Sequence, residues 1–162
     1  MIKILVVSDT HGMIEHAVEG IRKEGPFDRM IHLGDQVEDA IRLKSWLGIE
    51  HLDVCAGNCD YPSEGVSEKV ITIDGVTIFM THGHKYGVKY TMDRLFYRAE
   101  EAGAKIALYG HTHQRRMVEE KGITMFNPGS LSLPRDWKMK RKSFGTILIE
   151  DGRFHMEYKY LK

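Results

Sequence analysis

Short apolar, β-branched runs alternate with helical-period stretches in the first third of the chain. "IKILVV" at 2–7 reads as a strand, residues 13–24 as a helix, and "RMIHL" at 29–33 as a second strand, which together predict a βαβ opening. "QVEDAIRLKSWL" places Val37, Ala40, Ile41 and Leu47 on one helical side, and a strand through "IEHLDVCA" follows. From Glu68 the pattern changes. "EKVITIDGVTIFMTHG" predicts two strands about an Asp74-Gly75 turn, where glycine accepts the positive φ of a tight hairpin. "YTMDRLFYRAEEAG" reads as a helix closed by Gly103, and "KIALYG" as the next strand. The tail alternates on a period of two, with hairpins expected over Lys121-Gly122 and Asp151-Gly152 and one wet face along "FHMEYKYL". No repeat, linker or low-complexity tract interrupts this order. A single α/β domain spanning 1–162 is expected.

Composition narrows the picture. Lys plus Arg and Asp plus Glu each number 23, so the formal charge is zero and gives no global attraction for nucleic acid or anionic membrane. The apolar run before Asp9 is too short for a secretory signal, and no stretch approaches the length of a membrane span. These features predict a cytoplasmic protein. Cys55 and Cys59, spaced C-x3-C, are expected to remain unbridged thiols. Met13, Met80, Met92 and Met117 are assigned to core or helix-face roles.

Candidate chemistry falls where strands end. Asp9 and His11 follow the first strand, Asp35 follows "IHLG", Asn58 follows "VCAG", His82 follows "TIFMT", and His111 and His113 follow "IALYG". Ligands of α/β sheets gather beyond the carboxyl ends of strands, so these seven residues are expected to converge. The i, i+2 spacing of Asp9/His11 and His111/His113 would point both members of each pair to one side of an extended chain. Oxygen and imidazole donors together suit Mn, Fe, Co, Ni or Zn and differ from a cysteine-rich structural zinc site. His84 is open to a substrate or ligand-orienting role, whereas His16, His32, His51 and His155 are not placed to join. "NPGS" at 127–130 could bring Ser130 or backbone N–H groups to the pocket, and "PRDWKMKRK", with Trp137, reads as a solvated basic loop.

"DTHG", "GD" at 34–35, "GNCD", "THGH" and "GHTH", in this order, resemble the calcineurin-like metallophosphoesterase superfamily and in particular its YfcE-like phosphodiesterase branch. The resemblance runs from Met1 to about Ser130. It implies a four-layer α/β/β/α sandwich of two mixed sheets with a dinuclear centre. Asp9, His11, Asp35 and His113 would surround one ion, and Asp35, Asn58, His82 and His111 the other. Mn comes first among the implied divalent metals. A hydroxide shared by the ions would attack the phosphorus of a small phosphate ester in line, with Asp35, Asn58, Cys59 and His82 as the catalytic set. The family's usual leaving-group acid is a histidine at the position of Cys59. A thiol is a weaker donor, which favours diesters and aryl esters with good leaving groups. The alternatives carried with this reading are a retromer-type interaction scaffold on the same fold and a nuclease. A homo-oligomer is compatible with the sequence.

Overall fold

The computed structural model describes residues 1–61, 65–136 and 140–161. Among these residues, ten strands form two five-stranded sheets. The first sheet has the order β10-β9-β1-β2-β3 and the second β4-β5-β6-β8-β7. In the first, β1 (Ile2–Val7), β2 (Arg29–His32) and β3 (His51–Val54) run parallel, and the hairpin of β9 (Ser143–Glu150) and β10 (Arg153–Tyr160) adds antiparallel to β1. In the second, β5 (Val76–Thr81), β6 (Ile106–Leu108) and β8 (Ile123–Pro128) are parallel, flanked by antiparallel β4 (Glu68–Ile73) and β7 (Arg115–Glu120).

Strand alternation builds the four layers. Ile4 and Val6 of β1 face the second sheet, where they meet Ile78, Met80, Ile106 and Leu108 in the central apolar cluster. Their neighbours Leu5 and Val7 turn the other way, toward Val18 and Ile21 of α1 (Val18–Glu24) and Ala40 and Leu43 of α2 (Val37–Leu47). Phe79, Ala107 and Met125 similarly back onto Leu95, Phe96 and Ala99 of α3 (Asp93–Glu101). A strand buried on both faces carries apolar residues at consecutive positions, as Ile4, Leu5, Val6 and Val7 do in β1 and Ile78, Phe79 and Met80 in β5.

The expected elements are all present, with some ends moved. The helix expected over 13–24 begins instead with a short 3₁₀ turn at Glu15–Ala17 before α1 takes over. Both cysteines are free. Met80 is buried in the central cluster, whereas Met13 and Met117 are exposed, so the core assignment fails for these two. Trp137 lies outside the described residues. Among those described, no helix is long and apolar enough to cross a membrane.

Candidate metal centre

The parallel strands β1, β2, β3, β5 and β6 deliver the seven expected residues to one end of the sandwich. Ligating atoms of Asp9, His11, Asp35 and His113 all lie within 4.8 Å of one another, as do those of Asp35, His82 and His111. Asp35 belongs to both groups. Its Oδ2 faces His11 Nε2 at 3.6 Å on one side and His82 Nε2 at 3.4 Å on the other. Asn58 joins through its Oδ1, 3.0 Å from His82 Nε2. Cys59 is exposed beside them, with its backbone N–H donating to Asp35 Oδ1 at 3.0 Å.

The convergence does not arise from extended chain, as the i, i+2 spacing suggested. Asp9, His11, Asp35, Gln36, His111 and His113 all have positive φ, so five of the seven candidate ligands project from left-handed turns, Asn58 and His82 being the exceptions. The other positive-φ non-glycine residues described, Asp74, Lys121 and Asp151, occupy the three hairpin turns. Non-glycine residues rarely hold this conformation without compensating contacts. Here the turns are pressed together: a Cβ on Gly34 would sit 2.7 Å from Gly57 N and 2.8 Å from His82 Nδ1, and one on Gly110 would sit 2.7 Å from Asp9 Oδ2.

Acceptors face acceptors across the centre. His82 Nδ1–H donates to the Leu33 carbonyl and His113 Nδ1–H to the Leu133 carbonyl, each at 2.7 Å. In the neutral rings this leaves the Nε2 lone pairs pointing inward. His113 Nε2 lies 3.3 Å from His11 Nε2 and 3.3 Å from Asp9 Oδ1, a buried oxygen that has no hydrogen-bond partner. Such lone pairs are brought together favourably only around shared positive charge, so this donor set fits divalent cations.

The same grouping sets the protonation equilibria of the protein without ions. Burial works to raise the Asp9 carboxyl, but contact with His113 and the charges of His82 and His113 outweigh it and hold Asp9 below the usual range. Burial opposes ionisation of Asp35 too, and the hydrogen bond and charge of His82 reverse that effect and leave it well below. His82 moves up despite burial, because Asp35 and Asp9 favour its charged form. His111 falls to about 4 through burial, with the nearby charges of His82 and Lys89 adding to it. Burial, followed by the charge of Asp35, pushes the Cys59 thiol up.

Several supporting residues were not legible as such. Asp60 accepts four backbone N–H groups: Asp35 and Gly57 through Oδ2, Gln36 and Val37 through Oδ1, all at 2.8–2.9 Å. Its place in "GNCD" was the only available signal. His32, set aside as a strand residue, is fully buried, accepts from Gly34 N–H through Nδ1 and reaches Thr10 Oγ1 through Nε2. Ser130 does not line the pocket. It is buried behind the first turn, donating to the Asp9 carbonyl, and Asn127 donates to the Gly110 carbonyl. His84 does border a cavity of about 520 Å³ with Asn58, Asp60 and Lys85, its ring 5.4 Å from that of His82. His16 bonds the Leu131 carbonyl and His155 pairs with Glu157, both away from the centre.

Two mixed sheets between helices, with oxygen and imidazole donors gathered at the strand ends around a shared carboxylate, define a metallophosphoesterase architecture. The calcineurin-like phosphoesterase superfamily domain matches residues 2–152, and the chain belongs to that family. It is 35% identical to the probable metallophosphoesterase YsnB of Bacillus subtilis over 150 residues, covering 91% of this chain and 85% of the relative. It is 28% identical to the phosphodiesterase YfcE of Escherichia coli, covering 83% and 82%. A predicted phosphoesterase from Streptococcus pneumoniae superposes with a TM-score of 0.80 at 30% identity, covering 98% of this chain and 88% of that one. The zinc complex of Vps29 from Entamoeba histolytica superposes with a TM-score of 0.81 at 20% identity, covering 99% and 100%, which shows the shared fold.

Proposed function

We propose that the chain is a phosphodiesterase that works with two divalent transition-metal ions, manganese first among the candidates and nickel, iron, cobalt or zinc as substitutes. The observation that carries this reading is Asp35, whose carboxylate is common to both groups of ligating atoms. A shared anion is what two cations a few ångströms apart require, since it lowers their mutual repulsion. Asp9, His11 and His113 complete one position, and Asn58, His82 and His111 the other. Ions held there supply Lewis acidity toward water and toward phosphate oxygens.

The chain's own groups do the rest. The Leu33 and Leu133 carbonyls fix the tautomers and ring planes of His82 and His113, keeping their Nε2 atoms aimed at the centre. Asn58 turns its oxygen to the centre and its amide N–H toward Cys59 Sγ, 3.7 Å away. Cys59 stands where the family's leaving-group acid would be, and its thiol is not the strong proton donor that an alkoxide needs. A diester with an activated leaving group is therefore the substrate class that fits. The reactive phosphate is that of a small molecule, in keeping with the zero formal charge of the chain.

Metal titration followed by elemental analysis tests this directly. The expected result is two ions per chain at saturation, hydrolysis of aryl phosphodiesters that chelation abolishes, and loss of both ions' tight binding in Asp35→Asn. One ion or none in an active, folded sample would overturn the dinuclear reading.

A further inference from the structure

A second cavity lies at the turn that carries His111 and His113. Its volume is about 330 Å³, and Thr112, which lines it, sits between the ligands His111 and His113. Lys89, Gln114, Arg116 and Arg135 form the rest of its polar wall over Tyr109 and Val88. No residue lines both this cavity and the one beside His84. Three cations around one pocket stand out in a chain of zero formal charge.

Lack of an acidic partner is not peculiar to this pocket: Arg22, Arg29, Arg42, Arg98 and Arg115 each hold a carboxylate, but Arg94, Arg141 and Arg153 hold none among the described residues. Among the described residues, Lys89, Arg116 and Arg135 have no acidic partner. Arg115 and Arg116 are successive on β7 and point to opposite faces, Arg115 toward Asp136 and Arg116 into the cavity. Arg135 is fixed to the metal-ligand turn itself: its N–H donates to the His113 carbonyl at 2.9 Å, and its carbonyl accepts from Gln114 Nε2 at 3.0 Å. These contacts fix the Arg135 backbone and leave its guanidinium, like that of Arg116, exposed at the pocket; a guanidinium matches the planar, bidentate geometry of phosphate or carboxylate oxygens.

We infer that this cavity is a subsite for a second anionic group, a phosphate or a carboxylate, carried on the arm of the diester that does not depart. The inference rests on the phosphodiesterase reading, which puts the leaving group beside Cys59 and leaves the retained arm to the side of the attack line, toward the turn of His111 and His113. The cations enclose one pocket and do not form a stripe, so the ligand is a compact charged arm and not a nucleic-acid backbone.

The test uses p-nitrophenyl phosphodiesters that share their leaving group and differ in the other arm: ethyl, 2-carboxyethyl and 2-(phosphonooxy)ethyl. Wild-type, metal-loaded enzyme should show kcat/KM at least about tenfold higher for a charged arm than for ethyl, the scale of one charge-assisted hydrogen bond. Whichever charged arm is preferred identifies the anion. In the Arg116→Gln/Arg135→Gln double variant that ratio should fall toward one, and a ratio within one preparation does not depend on how much of it is folded. Equal turnover of the three esters by wild type, or a preference that survives in the double variant, would overturn the subsite. Failure to hydrolyse any of the three esters would instead strike the phosphodiesterase reading. Calorimetric binding of the same esters then decides the subsite without turnover, equal affinities counting against it.

Discussion

Cys59 shows how much one side chain can set the range of a site. Without ions, burial and the charge of Asp35 favour its neutral thiol, so any thiolate would have to be produced by bound cations alone. In either form it is a weak proton donor where a departing oxygen needs a strong one. The leaving group must then stabilise its own charge, and turnover should fall steeply from aryl to alkyl esters. Cys59→His introduces a donor with an unperturbed pKa of about 6.5. It should flatten the dependence of log kcat/KM on leaving-group pKa, with the gain concentrated in alkyl esters. Cys59→Ala should retain aryl turnover within about threefold, the residual scale of a contact that supplies no proton or metal bond. A leaving-group series on the three proteins, with metal content measured in each, decides the matter. Loss of an ion in Cys59→Ala would make the thiol a ligand and defeat this account.

At the scale of elements, the chemistry sits on turns, and the turns are held by groups from elsewhere in the chain. The N-terminus of α2 receives no side-chain cap from Gln36, whose φ is 96°; it is Asp60, from the turn after β3, that accepts the Gln36 and Val37 N–H groups. The same carboxylate ties Asp35 to Gly57, so two ligand-bearing turns share one anchor. Asp60→Ala should lower stability by about 2 kcal/mol, comparable to losing a strong cap. It should also weaken metal binding by more than about tenfold, since the Asp35 turn is no longer fixed. Asp60→Asn, which keeps half the acceptor capacity, should fall between. Urea melts and calorimetric metal titration would show this, and unchanged metal affinity in Asp60→Ala would remove Asp60 from the site's support. The ligand residues themselves were legible because each follows an apolar run with a glycine close by. The left-handed geometry of Asp9, His11, His111 and His113 was not, because single positions carry no signal for a conformation imposed by packing between turns. The three hairpins were legible because their turn residues encode the required φ locally.

For the whole molecule, alternation predicted strands and helices, but not which strands become neighbours. The placement of β9 beside β1, and of β8 between β6 and β7, depends on long-range pairing that no local pattern specifies. The core that results closes over polar as well as apolar groups, and His32, on the same face of β2 as Met30 of the helix-side cluster, is the clearest case. Burial drives its imidazole down to about 4 from 6.5, and the Gly34 N–H donated to Nδ1 requires a lone pair there. The folded pKa lies below the unfolded one, so the unfolded chain binds the extra proton as pH drops through this window. The stability contributed by neutral His32 is therefore complete above 6.5 and is lost progressively as pH falls toward 4. His111 acts in the same direction, while His82, moved up by Asp35 and Asp9 against burial, acts in the opposite one. Urea melts of metal-free protein should show His32→Gln to be less stable than wild type at neutral pH. Within the window, however, the variant should lose stability less steeply, by about 1.4 kcal/mol per pH unit, the slope of one proton. Comparing the variant with wild type isolates His32 from His111 and His82, which both proteins share. Parallel pH profiles would mean that the native fold accommodates a charged imidazole beneath the Asp9 and Asp35 turns, and that His32 does not couple the core to the site through its protonation.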